Sequence, residues 1–168
     1  NKYLKKNSIK KLNFNESINE ILSTKADLIS LIFVLEHLES PHEIFEAFNK
    51  SDAQYLYVSV PLFSLSVLIE NIFQKIYPRQ LGGPHTHLFS KESLEFIAKK
   101  YKFKIVGEWW FGTDFSDLYR NTIISSNYTT QFYKDKFDSL FLKQINDLQS
   151  VLDKAKLCSE VHLIFKKD

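Results

Sequence analysis

Apolar residues fall along this chain in two rhythms. Runs with almost no polar break at 27–33 (DLISLIF) and 55–60 (YLYVSV) predict buried strands. The first lacks alternation altogether and reads as a parallel strand covered on both faces. Elsewhere apolar positions recur three and four apart and predict helices. These cover 16–22, 41–49, 63–77, 91–101 and 115–126, with a long helix over 131–156. Ile44, Phe45 and Phe48 give the second helix its inner face, and Leu94, Ile97 and Ala98 the fourth. The longest carries one stripe of Phe137, Phe141, Leu148, Val151 and Leu152. Further strands are expected at 103–109 and 160–165, and a short edge strand at 8–14.

Punctuation sharpens these boundaries. Ser40-Pro41-His42-Glu43 offers a cap, a proline for the first helical turn and an acid three residues after the cap. Pro61 stops the second strand, Pro78 and the Gly82-Gly83-Pro84 turn end the apolar helix, and Ser90 caps the next one. Strands alternating with helices argue for a parallel α/β sheet. The last strand follows a long helical excursion, so its direction stays open.

Composition changes little in this picture. The chain has 168 residues, 44% of them hydrophobic and 15% aromatic, enough for the core of one domain. A net charge of +2 gives no reason to expect a nucleic-acid partner. Lys2, Lys5, Lys6, Lys10 and Lys11 crowd the first eleven residues and read as a solvated face. One cysteine, Cys158, rules out an internal disulfide and fits a reducing compartment. Nothing is apolar and long enough for a membrane span or a secretion signal, so a cytoplasmic location is expected. The chain has no Met, even at position 1, and therefore reads as a mature, trimmed or partial piece.

The order of motifs from Asp27 onward resembles the C-terminal half of class I S-adenosylmethionine-dependent methyltransferases. The Asp-led strand, Leu35-Glu36-His37-Leu38, the helix after Pro41 and the strand ending Val60-Pro61 match that family in order. His85-Thr86-His87-Leu88-Phe89-Ser90 follows in its place. The tail, from Gly112-Thr113-Asp114-Phe115 through Asp117-Leu118-Tyr119-Arg120 to Ser159-Glu160-Val161-His162-Leu163, is similar to the small-molecule and sugar methyltransferases of bacterial polysaccharide gene clusters. The resemblance implies a partial Rossmann-like α/β sheet holding strands four to seven of the family plan. The seventh would run antiparallel between the fifth and sixth, with helices on its flanks and a long C-terminal helical insertion. It also implies that the first strand and its Gly-rich donor-binding turn lie outside the chain, since Gly82, Gly83, Gly107 and Gly112 are its only glycines. The strand at 27–33 would then be an open edge, covered by a preceding segment, by the N-terminal residues or by a second copy.

The same resemblance implies the chemistry and its residues. S-adenosylmethionine would be the methyl donor, with the ends of Ile32, Phe33 and Val34 against its methionine portion. A small molecule or sugar would be the acceptor. Glu36, His37 and His87 are the catalytic candidates, with His37 as base or acceptor-orienting group; helix capping is the alternative for the Glu-His pair. His85, Tyr119, Arg120 and Trp110 are the acceptor-binding candidates. His85 and His87 alternate on an extended turn, so they should point to opposite sides. Of Trp109 and Trp110, which put one ring on each face of the strand, one belongs to the core and the other is a candidate stacking platform. His42 is expected to be exposed and His162 structural. Metal-using small-RNA and ubiquinone-pathway relatives carry Glu-x-x-Glu-His on this turn. Phe33 stands at the position of the first Glu, so no metal is expected, although His85 or His87 could complete a Glu/His set. A homodimer is allowed, with no nucleic acid and no membrane among the partners. The reading of another class is a non-catalytic scaffold built on the same fold.

Overall fold

The computed structural model describes residues 13–74, 76–126 and 130–168. The lysine-rich end and most of the expected strand at 8–14 lie outside the described residues. At the end of that segment the chain already enters a helix: Asn13 caps α1 (Phe14–Ser23) by exchanging hydrogen bonds with Glu16 in a capping box. The chain continues through β1 (Leu28–Ile32), a 3-10 turn (Leu35–His37), α2 (Pro41–Lys50), β2 (Tyr55–Pro61) and α3 (Leu65–Ile72). Then come α4 (Lys91–Tyr101), β3 (Phe103–Phe111), α5 (Asp114–Ser125), α6 (Gln131–Phe141), α7 (Ile145–Ala155) and β4 (Glu160–Lys167).

The four strands form one open sheet in the order β1-β2-β4-β3. β1 and β2 are parallel, and β4 runs antiparallel to both β2 and β3. The last strand therefore inserts between the second and third, as the resemblance implies, and α5–α7 form the helical insertion before it. One face is packed: α1, α2 and α4 cover Leu56, Val58, Val60, Val161, Leu163 and Phe165. This apolar layer is the core.

Four expectations need correction. β1 is not covered on both faces. Ile29 and Leu31 pack on the core, while Leu28 and Ile32 on the other side are 46% and 55% exposed. Helix 63–77 is shorter, ending at Ile72 with Phe73 as its C-cap, whose N–H donates to Ile69 O. The helix over 131–156 is two helices broken at 142–144, and none of its stripe is fully buried. Ser40 makes no side-chain cap; its backbone oxygen accepts from Glu43 N instead. Ser90 does cap, paired reciprocally with Ser93.

Two polar devices fix the loops that follow β2. Glu70, buried on α3, turns its carboxylate on three successive backbone amides, those of Arg79, Gln80 and Leu81, at 2.7–3.0 Å. Asp114 at the start of α5 is fully buried and accepts from Ser64, Ser66, Gln149 and Ser159, joining α3, α5, α7 and the start of β4. Gly112 is required beside it: a Cβ there would lie 2.5 Å from Asp114 Oδ2 and 2.7 Å from Ser159 N.

Candidate functional site

Open α/β sheets bind ligands outside the carboxyl ends of their parallel strands. At that end β1 stops at Ile32, and Phe33 takes a left-handed backbone with φ 51° while its N–H still bonds Ser59 O at 3.0 Å. A bulky residue in this region is strained, and such strain concentrates at functional sites. The next residues make the 3-10 turn, which delivers Glu36 inward and His37 outward.

That turn is clamped to the loop before α4. Glu36 O accepts from Thr86 N at 2.7 Å, His87 N at 3.2 Å and Thr86 Oγ1 at 3.0 Å. His37 Nδ1 lies 3.4 Å from Pro84 O, and His85 Nδ1 lies 3.1 Å from Gln80 O. The two imidazole centroids are 4.8 Å apart. Glu36 is 1% exposed, and neither carboxylate oxygen has a hydrogen-bond partner among the described residues. Burial pushes its carboxyl up, opposed in part by its own backbone N–H and then by the neighbouring imidazoles of His37 and His85. One ligand atom from each of Glu36, His37 and His85 fits within 4.8 Å of the others, a set able to hold a metal ion.

Beside this cluster a cavity of about 300 Å³ is lined by Phe33, Pro61, Arg79, Gln80, His85 and Glu160. Arg79 Nη1 donates to both Asp117 oxygens at 2.9 and 3.0 Å and to Thr113 Oγ1 at 2.7 Å. Its Nη2 is 3.6 Å from Glu160 Oε1, an ion pair without a hydrogen bond. Burial pushes the Glu160 carboxyl up, Arg79 pulls it down, and Asp114 and Asp117 push it up further. The cavity thus offers an acceptor, a guanidinium and an imidazole around an apolar wall. These groups can orient a polar acceptor and take a hydrogen bond from its nucleophile.

The expected site residues divide accordingly. Glu36, His37 and His85 converge. His87 points away from them, with Nδ1 2.9 Å from Thr86 Oγ1, and lines an adjoining cavity of about 240 Å³ with His85. Phe33 lines the cavity and is 40% exposed, while Ile32, at the end of β1, is 55% exposed. Val34 turns instead into an apolar groove of about 580 Å³ between α1 and β1. Tyr119 stacks on Phe137 and Phe141 and donates to Asp138, so it holds α5 to α6. Arg120 sits half-buried with Nη2 3.8 Å from Asp117 Oδ1. Trp110 packs on the core and donates to Glu108, whereas Trp109 is 62% exposed. His42 is exposed. His162 is hydrogen-bonded to Tyr57 Oη and ringed by Phe33, Trp109 and Phe111, and burial holds its pKa down. Arg79, Gln80 and Glu160 were missed by sequence reasoning. The available signal was the antiparallel last strand, which sets Glu160 opposite Pro61 at the mouth.

Residues 3–108 match the family profile described as a methyltransferase domain, more than half of the chain. No curated protein matches the sequence. Among solved structures, an S-adenosylmethionine-dependent methyltransferase from Archaeoglobus fulgidus is 16% identical with a TM-score of 0.51, over 94% of this chain and 66% of its own. The small RNA methyltransferase HEN1 gives 11% identity and a TM-score of 0.46, over 89% of this chain and 15% of its own. A cyclopropane-fatty-acyl-phospholipid synthase-like protein from Lactobacillus casei gives 10% and 0.44, over 92% and 61%. The chain thus spans less than two thirds of the length of each of these structures. The first of them shares its fold, a mixed α/β arrangement with an open sheet. By the family match, the chain belongs to the methyltransferase-domain family.

Proposed function

We propose that this chain is the acceptor-side part of an S-adenosylmethionine-dependent methyltransferase acting on a small molecule or sugar. The observation that carries the reading is the cavity at the carboxyl ends of β1 and β2, walled by Phe33, Pro61, Arg79, Gln80, His85 and Glu160. S-adenosylmethionine would supply an electrophilic methyl group on its sulfonium. The residues present suit one wall of its site: the backbone of Ile32–Val34 turns sharply at the strand end, and Phe33 exposes its ring there. A Gly-rich turn after a strand, the usual main grip on such a donor, is not among these 168 residues.

The chain's own groups do the rest. Arg79 and Glu160 bind and turn the acceptor, held in place by Asp117 and by the Glu70-organised loop. His85 borders the cavity as part of the acceptor's wall, with Nδ1 held by Gln80 O. His37 and Glu36 support His85 from behind, and His87 lines the adjoining cavity. Partners in this reading are the acceptor and a possible second copy, with no nucleic acid or membrane. Among the described residues no helix is long and apolar enough to cross a membrane.

The test is a donor titration of the isotope-labelled chain, followed through its amide resonances. Shifts confined to 32–34 and 84–88 support the reading. Their absence at millimolar donor removes Ile32–Val34 from the donor's wall.

A further inference from the structure

Within the candidate site, the buried Glu36 carboxylate demands an explanation of its own. It is 1% exposed, both oxygens are without a hydrogen-bond partner among the described residues, and His37 Nε2 lies 3.8 Å from Oε1. Buried carboxylates are nearly always paired, hydrogen-bonded or bound to a cation. We propose that Glu36, His37 and His85 form a three-ligand site for a borderline transition metal of the zinc, cobalt or nickel class, and that it discriminates against magnesium and calcium.

Tautomers carry the first step. A backbone carbonyl can only accept, so the contacts of His37 Nδ1 with Pro84 O and of His85 Nδ1 with Gln80 O place the ring proton on Nδ1 in both. Both Nε2 lone pairs are then free. This is the arrangement in which an outer carbonyl fixes a metal-binding imidazole. Geometry carries the second. One ligand atom from each residue lies within 4.8 Å of the others, and His37 Nε2 is 3.8 Å from Glu36 Oε1. Donors about 2.1 Å from a tetrahedral ion stand roughly 3.4 Å apart, so side-chain rotation must close the set by up to about 1.4 Å. The two loops that supply the ligands are already tied through Glu36 O, Thr86 and His87.

Donor chemistry carries the third. Two neutral imidazoles and one carboxylate suit zinc, cobalt and nickel, while magnesium and calcium require a shell made mostly of oxygen. Phe33 leaves the set without a second carboxylate from the same turn, so the hard-ion option is closed by this chain's own sequence. Three protein ligands leave a coordination position open. His85 also borders the 300 Å³ cavity, so that position adjoins the acceptor's place. The inference concerns metal selection alone and stands whether or not the donor binds.

The experiment uses the chain stripped with a chelator and then titrated with zinc, cobalt or magnesium chloride. Calorimetry should give one zinc per chain, bound at least about 100-fold more tightly than magnesium. Cobalt should produce visible absorption bands of low coordination number. His85→Ala should weaken zinc by at least about tenfold, with circular dichroism reporting the fold. Phe33→Glu adds a hard oxygen and should raise magnesium affinity by about tenfold or more, a gain that misfolding cannot mimic. Zinc held equally well by His37→Ala and His85→Ala, or magnesium held as tightly as zinc by the unaltered chain, overturns the proposal.

Discussion

Replacing Asp114 by Asn would test whether one buried carboxylate joins the helical insertion to the sheet. Its Oδ1 accepts from Ser64 Oγ, Ser66 N and Ser66 Oγ at 2.7–3.0 Å, and its Oδ2 from Ser159 N and Gln149 Nε2 at 3.0 and 3.1 Å. Asn retains one acceptor and turns the other into a donor. Oriented to keep the three Oδ1 bonds, its amide meets the Ser159 and Gln149 donors head-on. Gln149 could rotate, at the expense of its bond from Phe115 N, but the Ser159 N–H cannot. An unpaired buried N–H costs about 1–3 kcal/mol. The surviving bonds also lose their charge assistance, which roughly halves their strength. Removing a buried charge offsets part of this, leaving a net loss of about 3 kcal/mol. With a urea slope of about 2 kcal/mol per molar, the unfolding midpoint should fall by about 1.5 M. Fluorescence of Trp109 and Trp110 reports the transition. A loss below about 1 kcal/mol would refute the reasoning, because the carboxylate would then be replaceable in its own network.

Three further outcomes follow from the same kind of argument. Glu160→Gln should stabilise the protein at neutral pH. Its carboxyl is raised in the folded state, so the stability tied to its protonation is full below the ordinary carboxylate range and lost as pH rises through the folded value. Thermal melts from pH 4 to 8 should show the advantage of Gln growing with pH, and a constant difference would contradict the sign. Cys158 is 1% exposed and pushed up to about 12, so the native thiol should resist iodoacetamide at pH 8 and react only after denaturation. Ser90→Ala removes half of a capping box and should cost about 1 kcal/mol in urea unfolding; no change would mean that α4 is held by packing alone.

The parts of the fold legible in the sequence were those where one local rule decides. The uninterrupted apolar runs at 27–33 and 55–60 marked β1 and β2, and Ser90 marked the start of α4. Coverage was not legible for β1: a continuous apolar run looks the same whether helices pack on one face or two, and here Leu28 and Ile32 are bare. The break at 142–144 was hidden because its residues, Leu142-Lys143-Gln144, are all good helix formers. In the site, Glu36, His37 and His85 were singled out because Leu35-Glu36-His37-Leu38 and His85-Thr86-His87 resemble the family's turns at those places. Glu160 and Arg79 were not, since their meeting depends on β4 running antiparallel and on Glu70 shaping the loop from behind. Trp110 was placed on the acceptor side, yet strand alternation gave it the core and left Trp109 outside.

The place of β4 in the sheet sets the order in which this chain can fold. β4 pairs with β2 on one side and β3 on the other, and Tyr57 opposite Ile164 closes a loop of more than a hundred residues. Until residues 160–167 leave the ribosome, β3 has no strand beside it and β2 has only β1. The late, non-local pairing predicts slow folding that waits for the C-terminus, with two apolar strand edges open to misassociation in the meantime.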